Sequence, residues 1–105
     1  MHTENETILQ EAQRLVYGDR EAAYSHPYTD FTRIASVWSG YLDGHPITPS
    51  DVAQMMVLLK VCRARVDIVH GRPPKRDSLV DTAGYAECAS RVAEREVELA
   101  AERGR

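Results

Sequence analysis

The chain has little that could serve as a covalent staple, a membrane anchor or a known catalytic loop. Its 105 residues hold two cysteines. Both, Cys62 and Cys88, fall in apolar, helix-like stretches and read as buried thiols, the usage of a cytosolic protein rather than of a disulfide framework. Neither has a histidine at ligand spacing, which argues against zinc. No apolar run nears the ~20 residues of a membrane span. The start, MHTENETILQE, is too acidic and polar for a secretory signal or an Arg-rich transit peptide. The expected location is therefore cytoplasmic, with no membrane partner. Glycine-rich phosphate loops, a serine-centred elbow and HExxH are all missing. Aromatics are few, one Trp, one Phe and five Tyr, so any core must be aliphatic and compact. The length is that of one domain, residues 1–105, with a core over about 4–93 and a helical extension over about 94–105.

What is present is charge, unevenly placed. The net charge is -3, which does not argue for nucleic acid. Yet six of the thirteen basic residues lie between Lys60 and Arg76, with Asp67 the one acid in that window. A basic elbow in an acidic chain suits a small anionic ligand better than a long polyanion. A solvated charged loop is the plainer alternative.

The periodicity is helical throughout, and no segment reads as a strand. Thr3-Glu4-Asn5-Glu6 has the form of a capping box, opening a helix over about 4–17 that Gly18 would stop. Residues 17–27 have no long period and read as an ordered loop in which Asp19 could cap one short turn. Thr29 or Asp30 can cap a second helix with Phe31, Ile34, Ala35, Trp38 and Tyr41 on one face. Thr48-Pro49-Ser50-Asp51 is the strongest helix start in the chain. The helix that follows, Val52 to Val66, is apolar almost all round, the mark of a buried helix, with Met55 and Met56 as core filler. Gly71 and Pro73-Pro74 end it. A fourth helix starts at Asp77 or Ser78, and from Arg91 it is helical by propensity but thinly apolar. That tail would project or pack on a partner subunit. The expected fold is all-α: a four-helix bundle with a buried central third helix and a long C-terminal helix, forming a homo-oligomer.

Chemistry is sought where the pattern is broken. Lys60 and Arg63 interrupt the most apolar helix and share a face, as do Asp77 and Asp81 at the start of the next. Antiparallel packing of the two helices should bring the pairs together. They would form either an internal salt-bridge cluster or a polar pocket. In such a pocket the bases hold phosphate, or Asp77 and Asp81 hold magnesium that does so. A second cluster, Asp19, Arg20, Tyr24 and His26, could fork an arginine onto phosphate and stack a base on Tyr24 or Tyr17, or could simply pack the end of the bundle. A DNA-reading helix is disfavoured, because the candidate reader is too apolar for a groove.

The segments YGDREAAYSHPYTDFTRIASVWSGYL, ITPSDVAQMMVLLKVCRARVD and KRDSLVDTAGYAECA resemble an uncharacterised family of small actinobacteriophage proteins, over roughly residues 15–90. The run Asp77-Ser-Leu-Val-Asp81-Thr-Ala-Gly84-Tyr85 is also similar to the second acidic helix of MazG-like nucleotide pyrophosphohydrolases. That likeness implies magnesium on Asp77 and Asp81 and cleavage of a nucleoside triphosphate. The Glu-x-x-Glu that such enzymes carry on the preceding helix is missing here, where only Asp51 stands. The favoured expectation is binding of a small phosphorylated ligand, a nucleotide, through Arg20, Lys60 and Arg63, with Tyr24, Tyr85 and His26 beside it. In a phage such a protein could sequester a defence signal or act on the nucleotide pool. MazG-like hydrolysis and a protein-binding module working through the C-terminal helix are the alternatives.

Overall fold

The computed structural model describes residues 5–104. Among these there is no strand. Helix α1, Ile8–Arg14, runs without a break into a π-helical turn, Leu15–Arg20, and then into α2, Glu21–Tyr24. The other helices are α3, Pro27–Tyr41, α4, Pro49–Val69, and α5, Arg76–Arg103.

The Thr3 cap lies outside the described residues. Helix α1 opens instead on a box one turn further on: Thr7 Oγ1 accepts from the Gln10 N–H at 3.1 Å, and Gln10 Oε1 accepts from the Thr7 N–H at 2.9 Å. Gly18 does not stop this helix, and the expected loop over residues 17–24 is helical. The physical reason is the π turn. Its i→i+5 pairing adds a residue to one turn, so apolar positions beyond Val16 drift off the 3.6 spacing. The true stop is Ser25, with φ +71°, just before Pro27 begins α3.

The cap of α3 is His26, not Thr29 or Asp30: its Nδ1 accepts from the Tyr28 N–H at 3.0 Å. Pro27 fills the first helical position, where a missing N–H costs nothing. Helix α4 starts as expected. Thr48 Oγ1 accepts from the Asp51 N–H at 3.0 Å, and Asp51 Oδ2 accepts from the Thr48 N–H at 2.9 Å. It ends where Gly71 takes φ +75°, a conformation that favours glycine. Helix α5 begins at Arg76, one residue before the expected start, with Lys75 in the capping position.

Helix α5 is the spine, packing against α1, the π turn, α3 and α4. The core it closes is small: Val16, Phe31, Ala35, Val52, Ala53, Cys88 and Val92 are buried, with Trp38, Met56 and Tyr85 packed at its edge. Below Val92 the spine thins, and Ser50 Oγ donates to Glu96 Oε1 at 3.2 Å as a late tie to α4.

Helix α4 is buried along one face only in the single chain. Val52 and Ala53 are fully covered, while Met55, Leu58, Leu59, Val66 and Val69 are exposed. Cys62 is exposed too, unlike Cys88. One long neighbour, α5, and the end of α3 cannot wrap all sides of a 21-residue helix. The molecule is accordingly elongated, 51 × 33 × 20 Å.

Candidate functional site: a basic groove between α4 and α5

The last three turns of α4, the turn over residues 70–75 and the first turns of α5 enclose an open groove of about 520 Å³. Lys60, Arg63, Asp77 and Asp81 all line it, so the two pairs singled out by spacing do meet. Lys60 Nζ lies 3.0 Å from Asp81 Oδ2. Arg72 and Lys75 complete the rim. Both belong to the basic window, but their side chains could be aimed only once the turn was known.

Asp67 is the post around which the turn is built. Its Oδ1 accepts from Arg72 Nη2 at 3.0 Å and Nε at 3.3 Å, and its Oδ2 accepts from the Lys75 N–H at 3.4 Å. The Arg72 guanidinium, with help from the Lys75 N–H, holds this carboxyl below its ordinary value, against the opposing effect of burial. Arg76 then ties the start of α5 to α1, its Nε donating to Glu11 Oε1 at 2.7 Å and its Nη2 to the Glu6 carbonyl at 2.7 Å. Two of the four rim cations are thus spent: Lys60 on Asp81 and Arg72 on Asp67. Among the described residues, neither the Arg63 nor the Lys75 side chain makes a hydrogen bond or ion pair.

The second cluster divides. Arg20 donates to Asp30 Oδ2 at 2.9 Å, and its guanidinium lies 5.2 Å from the Tyr24 ring, 5.2 Å from Phe31 and 5.1 Å from Tyr85. It borders a small open pocket of about 110 Å³ that Tyr85, Cys88 and Asp81 also line. Asp81 is common to this pocket and the groove. Tyr24 covers Arg20 from the solvent side. His26 is elsewhere: it caps α3, and burial followed by the nearby Arg91 charge lowers its pKa below 6.5. Tyr17 donates to Glu87 and packs its ring under Arg91, 4.4 Å away.

Magnesium on Asp77 and Asp81 would have to compete with Lys60 for Asp81. Among the described residues no group of three or more His, Cys, Asp or Glu side chains could hold a metal ion. None of the described helices is long and apolar enough to cross a membrane.

The matches to known proteins fall on this same framework. Residues 7–93 match a family described as a domain of unknown function, DUF6378. The chain belongs to that family. Gene 55 protein of Mycobacterium phage D29 is 46% identical over 94 residues, covering 90% of this chain and 58% of the relative. Gene 55 protein of Mycobacterium phage L5 is 39% identical over 80 residues, covering 76% of this chain and 48% of the relative. The chain thus spans about half the length of these relatives. No solved structure matches. The resemblance to an uncharacterised phage family is established by these matches, and the resemblance to MazG-like enzymes gains no support from them.

Proposed function

We propose that this phage protein binds a small phosphorylated ligand, a nucleotide, in the groove between α4 and α5. The observation that carries the reading is the pair of uncommitted cations. Arg63 from α4 and Lys75 from the turn border one groove at the first turn of a 28-residue helix. That helix has no side-chain cap, so its first N–H groups and its dipole add to the pull on an anion. Arg63 can fork onto two phosphate oxygens, and Lys75 adds a point charge. Lys60 lies within the same rim, already oriented by Asp81. Tyr85 lines the adjoining small pocket, which shares Asp81 with the groove, and is the nearest candidate ring for a base or ribose that extends there. Arg20 supports the wall rather than the ligand.

Calorimetric titration of a nucleotide panel, with inorganic phosphate alone and with and without magnesium, tests this. Arg63→Ala and Lys75→Ala should each weaken binding roughly tenfold or more, since a charge-assisted contact contributes about 1.5–3 kcal/mol, and should leave the unliganded melting temperature unchanged. Absence of binding by any nucleotide below millimolar concentration ends the proposal. Release of pyrophosphate that requires magnesium would replace it with hydrolysis.

A further inference from the structure

The exposed face of α4 carries a second pattern that shares only Val66 with the groove. Met55, Leu59, Cys62, Val66 and Val69 follow one another at steps of 4, 3, 4 and 3, the a/d spacing of a coiled-coil seam. Leu58 flanks them. All six are exposed in the single chain, and no charge interrupts them over about 21 Å of helix. Stripes of that extent are uncommon on monomers and mark binding surfaces.

We infer that the N-terminal part of this stripe is a homodimer interface in which α4 packs antiparallel on α4 of a second copy, about a two-fold axis near Leu58 that brings Met55, Leu58 and Leu59 of the two copies together. Two observations select a second copy of this chain. The first is charge. Asp51 lies seven residues before Leu58 and Arg65 seven after it, on the same edge of the helix. A two-fold axis at Leu58 sets Asp51 of each copy against Arg65 of the other, an isologous pairing. Arg65 has no ion pair or hydrogen bond among the described residues, and Asp51 gives one oxygen to its cap and keeps the other. A parallel arrangement would instead set Arg65 beside the partner's His70, with no opposite charge to meet it. The second is area. The chain exposes 7155 Å², whereas a compact monomer of this mass exposes roughly 5,900 Å². The excess is larger than the roughly 800 Å² per partner of a stable interface.

Sedimentation equilibrium of the 105-residue chain at tens of micromolar should give twice 11.8 kDa. Leu58→Asp, at an exposed position, should give the monomer mass with an unchanged helical circular dichroism spectrum. Arg65→Asp should raise the dimer dissociation constant at least tenfold at low salt and less at high salt. Orientation is read by cross-linking. With Cys62→Ser in the background, Leu58→Cys should form an interprotomer disulfide under mild oxidation, while Cys62 in the native chain, displaced from the axis, should not. A monomer mass for the native chain at these concentrations overturns the inference and leaves the stripe to a different protein. A dimer that Leu58→Asp does not dissociate overturns it in favour of another face. A Cys62 disulfide forming as readily as the Leu58→Cys one overturns the antiparallel register.

Discussion

Arg20 sits where three aromatic rings and the Asp30 carboxylate meet. Removing its guanidinium leaves Asp30 half-buried without a partner and widens the small pocket that Arg20 borders. Arg20→Ala should therefore cost about 1–3 kcal/mol in urea unfolding, and Arg20→Lys should recover only part, since an ammonium cannot lie flat across the rings. Lys60 behaves differently. Its partner Asp81 is 39% exposed, so solvent screens the pair, and Lys60→Met should cost no more than about 1 kcal/mol. In sequence, Lys60 stands out as a cation in an apolar helix, whereas Arg20, between Asp19 and Glu21, reads as part of a polar loop. The meeting of Lys60 and Arg63 with Asp77 and Asp81 was legible because helical spacing fixes a face and short connections fix a direction. The role of Arg20 was not, because its rings come from three different helices. His26 gives a pH test. Its Nδ1 can accept the Tyr28 N–H only while unprotonated, and its folded pKa lies below 6.5. The unfolded chain then binds the proton more readily, so the contribution is complete above about pH 6.5 and is lost as the pH falls from there through the lower folded pKa. The melting temperature should drop between pH 7.5 and 5.5, and His26→Asn, which caps without titrating, should flatten that drop.

At the scale of elements, the chemistry of helix ends was readable and the chemistry of helix defects was not. Thr48 and Asp51 carry their capping box in four consecutive letters, and Thr48→Ala should cost about 1 kcal/mol by thermal unfolding. The π turn carries no such signature. Gly18 is the instructive residue: glycine after an apolar repeat signals a stop, yet here it lies within a continuous helix, with nothing within 4 Å of an added Cβ. The two readings predict opposite signs. At a left-handed stop Gly18→Ala would destabilise, whereas inside the helix it should stabilise the protein by about 0.5–1 kcal/mol. A lowered melting temperature for Gly18→Ala would return the stop to residue 18. The basic groove depends on such ends as well, since Asp67 folds the turn back and so delivers Arg72 and Lys75 to the rim. The window of charge was visible in sequence, but which cations stay uncommitted depends on that turn.

For the whole molecule, the buried set is dominated by small side chains, with Phe31 its one aromatic member, and a 28-residue spine extends past the core. The apolar circumference of α4 shows why burial is hard to assign from one sequence: periodicity reports that a face avoids water, not whether the same chain or another copy covers it. The homodimer argued above turns this into a thermodynamic expectation. If the folded species is dimeric and the unfolded one monomeric, mass action adds about 2.7 kcal/mol per dimer for each hundredfold rise in concentration. The melting temperature of the native chain should thus climb by several degrees between about 5 and 500 µM, and that of Leu58→Asp should stay flat. The tail is separable from this effect. Its exposed apolar residue Val97 stands alone among charges, so deleting residues 97–105 should leave the chain dimeric and the concentration slope unchanged. A slope abolished by that deletion, with Leu58→Asp still sloping, would move the contact between copies from α4 to the end of α5.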